Sequence, residues 1–373
     1  YRTERRSVVV ANIGTVAEKR PAILVAIRNL PHDWIITMAG EGLLPFFEEA
    51  GRKSYFTRLE PFPTPHWRSL WASLATGKLP NRHGVTGRYS YRTPLNREER
   101  DERFLIIPSG VGFRAWGLIP PVERIAAPLP SGNALPVWSL YELLGLDTAV
   151  VSWPAITRPV VAARADTGDA AQRFAASGAA QELLAALSAD VAALQAAPSA
   201  GDAELRVIAL EGLSRAQRAL RVTGNELPDR STERGEAIRA YLQLLDRSLG
   251  DLARQHPDHL IVLCSPSALV PPELAASAYA IAARVLSSPD PGADDGFLLL
   301  RGPGVVHRPN PETAYVVDVV PTLLFAAGLP VGRDMDGRVL TEAFADDFLR
   351  RTTLSAIQTY EAQQVVVRGR RGA

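Results

Sequence analysis

Few side chains in this chain combine reactive chemistry with useful spacing. Thr64 is followed by Pro65 and His66, which sets an alcohol two residues from an imidazole. That pair suits metal-free nucleophilic catalysis, with Thr64 as nucleophile and His66 as base. A hydroxyl at its free pKa is a weak nucleophile, however. The reading adopted is that Thr64 starts a turn or caps the helix that follows. The six histidines are His32, His66, His83, His256, His259 and His307. A metal centre would need imidazoles and carboxylates converging from strand ends, and no histidine falls at ligand spacing from a second histidine and a carboxylate. His256 and His259 bracket a Pro-Asp turn and read as surface residues. His307, after Gly302-Pro303-Gly304, reads as exposed. Cys264 lies inside the apolar run LIVLC and reads as a buried strand thiol; alone, it excludes an internal disulfide framework. No catalytic residue, cofactor-binding residue or metal ligand is assigned.

The elements that would carry a site follow an alternating pattern. AILVAI (22–27) is a continuous apolar run of the kind a parallel strand needs when both faces are buried. A helical stretch runs from Trp34 to Ala50, with Gly51 as its C-cap, and 69–77 fits a second helix closed by Gly77. Val137–Leu144 reads as a helix stopped at Gly145, and TAVVSW (148–153) as a strand. Residues 169–197 carry Leu183, Leu184, Leu187, Val191 and Leu194 at helical spacing. ELRVIALEG (204–212), LIVLC and GFLLLRG read as strands; 231–255 and the region Asp318–Gly328 read as helices. Strands separated by helices predict an α/β fold with a mostly parallel central sheet and helices on both faces. Three segments are expected: an N-terminal tail (1–21), the α/β domain (22–345) and a C-terminal helix with a basic tail (346–373). Residues 88–135 lack periodicity and are rich in Arg, Pro and Gly, so they read as an inserted cap or interface segment.

Three stretches are diagnostic: PFPTPHWRSLWASLATGKLPNRHGVTG (61–87), DHLIVLCSPSA (258–268) and YVVDVVPTLLFAAGLPVGRDMDGRVLTEAF (315–344). Together they resemble the alkaline phosphatase superfamily in its type I phosphodiesterase/nucleotide pyrophosphatase branch, over most of residues 22–345. The resemblance implies two divalent metals, usually zinc, a Ser or Thr nucleophile between them, and about six Asp and His ligands at the C-terminal ends of strands. Each implied position carries a residue unsuited to the task. The first-strand aspartate falls on Arg28, in Ala26-Ile27-Arg28-Asn29, and a guanidinium repels cations. Nearby Asp33 reads as serving the first turn of the next helix. The nucleophile position, nine residues before Thr76, falls on Trp67. The Asp-x-x-x-His pair after Leu210-Glu211-Gly212-Leu213 falls on Ser214 and Arg218. The Ser-Asp-His-Gly strand end reads Ser265, Pro266, Ser267, Ala268. The last histidine falls near Gly292 or Ala293, before Gly296 and Phe297.

What the resemblance implies for turns and packing is retained: Gly77, Pro80, His83 and Gly84; Trp138 and Trp153-Pro154; Gly302-Pro303-Gly304; Asp318, Pro321 and Thr322; Gly328-Leu329-Pro330; and Asp334-Met335-Asp336-Gly337-Arg338. The expected function is therefore a catalytically inactive phosphodiesterase-like protein acting as a structural or interaction subunit. The alternative is a metal-dependent phosphodiesterase with rearranged ligands. Arg28 and Arg218 would fill the former cavity with positive charge, needing Glu211, Asp246 or a weakly bound anion as partner.

Composition sets the remaining bounds. The chain has 373 residues, 41 basic against 40 acidic, and 46% hydrophobic content. A balance this even suggests neither nucleic acid nor an anionic membrane surface as partner. Arg2, Arg5, Arg6, Arg368, Arg370 and Arg371 read as solvated tails. No apolar run of 18 residues exists, so no membrane span is expected. The chain opens on Tyr1 rather than Met, which leaves room for a signal peptide or anchor upstream. Protein partners, and an extracytoplasmic or membrane-attached location, are expected from the resemblance.

Overall fold

The computed structural model describes residues 20–62, 67–85, 89–92, 123–126, 134–154, 167–196, 203–222, 226–266 and 295–361. Thr64, His66 and most of the 88–135 segment lie outside them. Of that segment, two antiparallel strands are described, β3 (Tyr89–Arg92) and β4 (Glu123–Ala126).

The organising element is β1 (Ala22–Ile27), every residue of which is buried. It lies between β6 (Leu205–Leu210) and β7 (Leu260–Ser265), parallel to both. The seven-stranded sheet runs in the order β5-β6-β1-β7-β8-β2-β9, with β5 at Thr148–Ser152, β2 at Tyr55–Glu60, β8 at Gly296–Arg301 and β9 at Ala314–Tyr315. β8 runs against both β7 and β2, and the other pairs are parallel, so the sheet is mostly parallel as expected.

Alternation along β1 divides the core in two. Ile23, Val25 and Ile27 face one side with Trp34, Leu187, Leu213 and Leu245, whereas Ala22, Leu24 and Ala26 face the other with Trp71, Tyr141 and Leu324. Each side is covered by helices. The first is packed by α1 (His32–Gly40), α2 (Pro45–Lys53), α7 (Ala180–Ala196), α8 (Gly212–Ala219) and α9 (Glu233–Gln255). The second is packed by α3 (Trp67–Thr76), α5 (Val137–Leu143) and α10 (Val319–Ala326). Chain order also gives the short α4 (Pro80–His83), α6 (Ala170–Phe174) and α11 (Asp346–Arg351). Fully burying one Val, Leu or Ile contributes about 1.5–3 kcal/mol, so packing the strands' apolar side chains against the covering helices stabilises the fold. β10 (Val331–Gly332) and β11 (Ala356–Ile357) form a small separate pair.

One expected helix divides. The stretch 34–50 is two helices, α1 and α2, separated at Gly42, whose φ of 72° a helix cannot hold. The second continues past Gly51 to Lys53, because Gly51 keeps ordinary helical backbone and does not cap. Leucine spacing near 169–197 likewise covers α6 and α7, with a 3-10 turn and Gly178 (φ 65°) between them.

The retained tail of the sequence closes the fold on the end of α3. Gly77 turns the chain with φ 68°, and its carbonyl accepts from the Asp336 N–H at 2.9 Å. Lys78 Nζ meets Asp334 Oδ2 at 2.5 Å and Glu361 Oε1 at 2.7 Å, with its side chain only 4% exposed. Asp336 accepts from the Leu79 N–H at 2.8 Å and pairs with Arg82 at 2.8 Å. Gly337 must be glycine, since a Cβ there would sit 2.0 Å from the Val317 carbonyl oxygen. Asp318 accepts from the Tyr315 and Arg338 N–H groups, and Thr322 from that of Leu340.

Candidate functional site: an arginine clasp at the strand ends

The C-terminal ends of β1, β6 and β7 converge, which is where open α/β sheets place their ligands. The residues leaving them are Arg28, Glu211 and Pro266. The Arg28 N–H donates to the Leu210 carbonyl at 2.9 Å, which carries the β1–β6 ladder one step beyond both strands. The Arg28 side chain then lies over the Trp67 indole, with its guanidinium carbon 3.8 Å from the ring centroid. Its Nη1 donates to Glu211 Oε1 at 3.3 Å. A guanidinium on an indole, partly withdrawn from water, contributes roughly 1–2 kcal/mol. Three elements are thereby joined: the end of β1, the start of α3 and the entry to α8.

Around this contact lies a polar collar. Asn29 adopts φ 61°, a left-handed backbone that Asn tolerates better than most residues. Its Nδ2 donates to Ser214 Oγ at 3.3 Å, and its carbonyl accepts from Gln217 Nε2 at 2.8 Å. Ser265 Oγ accepts from the Leu30 N–H at 3.1 Å. Arg218 donates through Nε to the Ser214 carbonyl at 3.2 Å, and Arg215 pairs with Glu211 at 3.8 Å. Burial lowers the Arg28 pKa first; Glu211 opposes the shift, while Arg218 and Arg68 add to it by repulsion. Arg28 therefore feels two further guanidiniums beside its one carboxylate partner.

Helix α8 is positioned from below by a buried acid. Asp190 Oδ1 accepts from the Gly212 N–H at 2.9 Å, and its Oδ2 accepts from the Tyr241 hydroxyl at 2.9 Å. A Cβ on Gly212 would lie 2.3 Å from that hydroxyl and 2.5 Å from Asp190 Oδ2, so only glycine lets the strand turn here. Burial pushes Asp190 up to about 6 despite these donors.

The paired metals implied by the resemblance can be tested against this donor set. Two close dications require several carboxylates and neutral imidazoles. Among the described residues, those leaving β1, β6 and β7 supply one carboxylate, Glu211, already engaged by Arg28 and Arg215. Among the described residues, no three His, Cys, Asp or Glu side chains lie close enough to hold a metal ion. The described residues do not fit the metals.

Several sequence expectations find their place here. Trp67 and Arg28, assigned separately to the nucleophile and first-ligand positions, are in direct contact. Glu211 is the partner of Arg28. Asp246 is not: its two oxygens accept from the Phe46 and Phe47 N–H groups at 3.0 Å, at the start of α2. Asp33 pairs with Arg58 at 2.6 Å and with His32 at 3.1 Å, in the first turn of α1. His83 fixes a loop, because its Nδ1 accepts from the Val85 N–H at 3.0 Å. The ring proton therefore sits on Nε2 and is directed at Ser73 Oγ, 2.9 Å away; burial lowers its pKa to about 4. Cys264 is buried in β7, and His307 is exposed. His256 and His259 are half-buried rather than surface residues, with rings 4.7 Å apart and Arg206 donating to His259 Nε2 at 2.8 Å. Gln217 went unrecognised as part of the collar; its place one helical step beyond Ser214 was the available signal.

Comparisons with known proteins agree with this architecture. An alkaline phosphatase PafA mutant superposes with a TM-score of 0.57 at 11% identity, over 88% of this chain and all of that one. Murine ectonucleotide pyrophosphatase/phosphodiesterase 5 gives 0.52 at 9%, over 88% and 100%. A putative sulfatase from Bacteroides thetaiotaomicron gives 0.55 at 12%, over 87% and 75%. Identities this low speak for the fold alone. No curated protein matches by sequence. The type I phosphodiesterase/nucleotide pyrophosphatase profile matches residues 33–265, well over half of the chain, and on that match the protein belongs to the type I phosphodiesterase/nucleotide pyrophosphatase family.

Proposed function

We propose that this chain is a non-catalytic member of its family, working as a structural or interaction subunit of a larger assembly. The observation that carries the reading is the Arg28 guanidinium stacked 3.8 Å from the Trp67 ring and bonded to Glu211. By the motif resemblance, this cation and indole correspond to the family's anionic ligand and hydroxyl nucleophile. An indole offers no nucleophilic oxygen, and a guanidinium stays protonated and excludes a dication. The same cations give the strand ends the capacity for weak binding of an anion, since guanidinium forks suit oxyanions. Partners are expected to be proteins, with the 88–135 segment as the contact region. Extracytoplasmic work fits the "ecto" designation of the murine relative.

The test is direct. Protein purified from zinc- and manganese-supplemented medium is expected to carry substoichiometric metal by elemental analysis and to leave an aryl phosphodiester uncleaved. Stoichiometric metal together with turnover abolished by chelation would instead establish the metal-dependent hydrolase with rearranged ligands.

A further inference from the structure

A second polar cluster lies at the opposite end of the sheet. Lys53 and Ser54 lead into β2, His259 leads into β7, and Arg301 and Gly302 end β8. Because β8 runs antiparallel to both neighbours, all three groups share one edge. That edge is separated from Arg28 by the length of β1, about 20 Å at the usual rise per residue. They line a cavity of about 460 Å³ with Arg254 and His256. Every ionisable residue in its lining is basic, and none is a carboxylate. Glu49 pairs with Lys53 at 3.2 Å and with Arg301 at 3.7 Å, and Asp251 pairs with Arg254, yet neither acid lines the space.

The hydrogen-bond state of the lining is one-sided. Arg206 donates to His259 Nε2, and a guanidinium cannot accept, so the neutral ring carries its proton on Nδ1. That N–H makes no hydrogen bond within the protein, and Arg301 Nη1 has only its 3.7 Å ion pair with Glu49. His256 Nε2 is also unbonded. Leaving a buried polar group unmet costs about 1–3 kcal/mol; these nitrogens are themselves closed to solvent, so an acceptor would meet them only with a shift of the side chains. Burial, aided by the positive charge of Arg206, holds both histidines below their ordinary pKa. Gly302 keeps the wall tight, since a Cβ there would lie 2.6 Å from the His259 carbonyl oxygen.

We propose that this cavity binds a small organic phosphate, its oxyanion held by Arg301 and Lys53 and its apolar part against Ala253, Ile261 and Val305. The volume exceeds what phosphate alone fills and falls in the range of small-molecule sites. The proposal is independent of whether the Arg28 site is catalytic.

The test is titration of the intact chain with phenyl phosphate at constant ionic strength, read by imidazole ¹H–¹⁵N shifts and calorimetry. The expected result is saturable binding with a Kd on the order of 1 mM or tighter, shifts confined to His256 and His259, and weaker binding of inorganic phosphate. Arg301→Gln should weaken phenyl phosphate at least tenfold. Lys53→Gln, at a 71% exposed side chain whose loss the fold tolerates, should weaken it about threefold. Non-saturable shifts reproduced by chloride would overturn the proposal. So would equal binding of phenol, unchanged affinity in both variants, or loss of binding in Arg28→Gln instead.

Discussion

Replacing Lys78 with methionine removes the cation that Asp334 and Glu361 share. The volume is nearly kept, so the cost is electrostatic. The Lys78 side chain is 4% exposed, and its partners are 24% and 17% exposed. Breaking a buried pair from one side costs about 3–5 kcal/mol. Partial access of water to the two carboxylates places this case at the low end, about 3 kcal/mol. With an unfolding entropy of about 2.1 cal/mol/K per residue over 373 residues, the midpoint should fall by roughly 4 °C. The pH dependence supplies a second reading. Burial tends to raise the Asp334 pKa, but Lys78 and the Thr359 hydroxyl overcome it and leave it below the ordinary carboxylate value. Stability from this group is therefore present above pH ~4 and lost as pH falls through the depressed value. In the variant, the two carboxylates face each other without the cation, so acid, which neutralises them, relieves their repulsion. The difference between the proteins should shrink from pH 7 to pH 4 in chemical denaturation. A loss below 1 kcal/mol at pH 7, or a deficit unchanged at pH 4, would refute the argument.

Asp190→Asn keeps an acceptor for the Gly212 N–H and gives the Tyr241 hydroxyl a donor. Because burial raises Asp190 to about 6, its native contribution is fullest below pH ~4 and declines as pH rises through 6. The variant should thus match the wild type at pH 4 and exceed it by roughly 2–3 kcal/mol at pH 7, and a variant weaker at pH 7 in urea denaturation contradicts this. Gly212→Ala should cost more than 3 kcal/mol, because backbone and side-chain atoms at 2.3–2.5 Å must all move. Gly51→Ala, with open space around it in α2, should instead gain about 0.5–1 kcal/mol; thermal melts compare the two. His83 should remain neutral with its proton on Nε2 at pH 5.5, visible in long-range ¹H–¹⁵N spectra. A charged ring at that pH would contradict the buried loop geometry.

The α/β alternation was legible because β1, most of β7 and β8, and β6 from Val207 to Leu210 are short apolar runs, as a doubly covered sheet requires. Helix ends were less so: Gly42 and Gly51 are equally plausible breakers in sequence, and only the first adopts positive φ. At the site, spacing within the motifs singled out Arg28, Trp67, Ser214 and Arg218, which the fold brings to the strand ends. The contact of Arg28 with Trp67 could not be found this way, since nothing in either motif encodes the direction of a side chain. Asp246 and Glu211 looked alike as partners for Arg28 until the backbone of α2 claimed the first. His256 and His259 were misread because a Pro-Asp turn is a surface signal, whereas their environment is set by Arg206, distant in sequence.

The clasp around Lys78 has a consequence for how the protein is made. Residue 78 leaves the ribosome long before residues 334 and 361 do. Until then, the end of α3 holds a cation with neither of its counter-ions, on a helix otherwise ready to pack. The sheet can assemble earlier, but that corner stays open until nearly all the described chain has been synthesised. A nascent chain stalled before Asp334 should therefore be selectively sensitive to protease near Gly77.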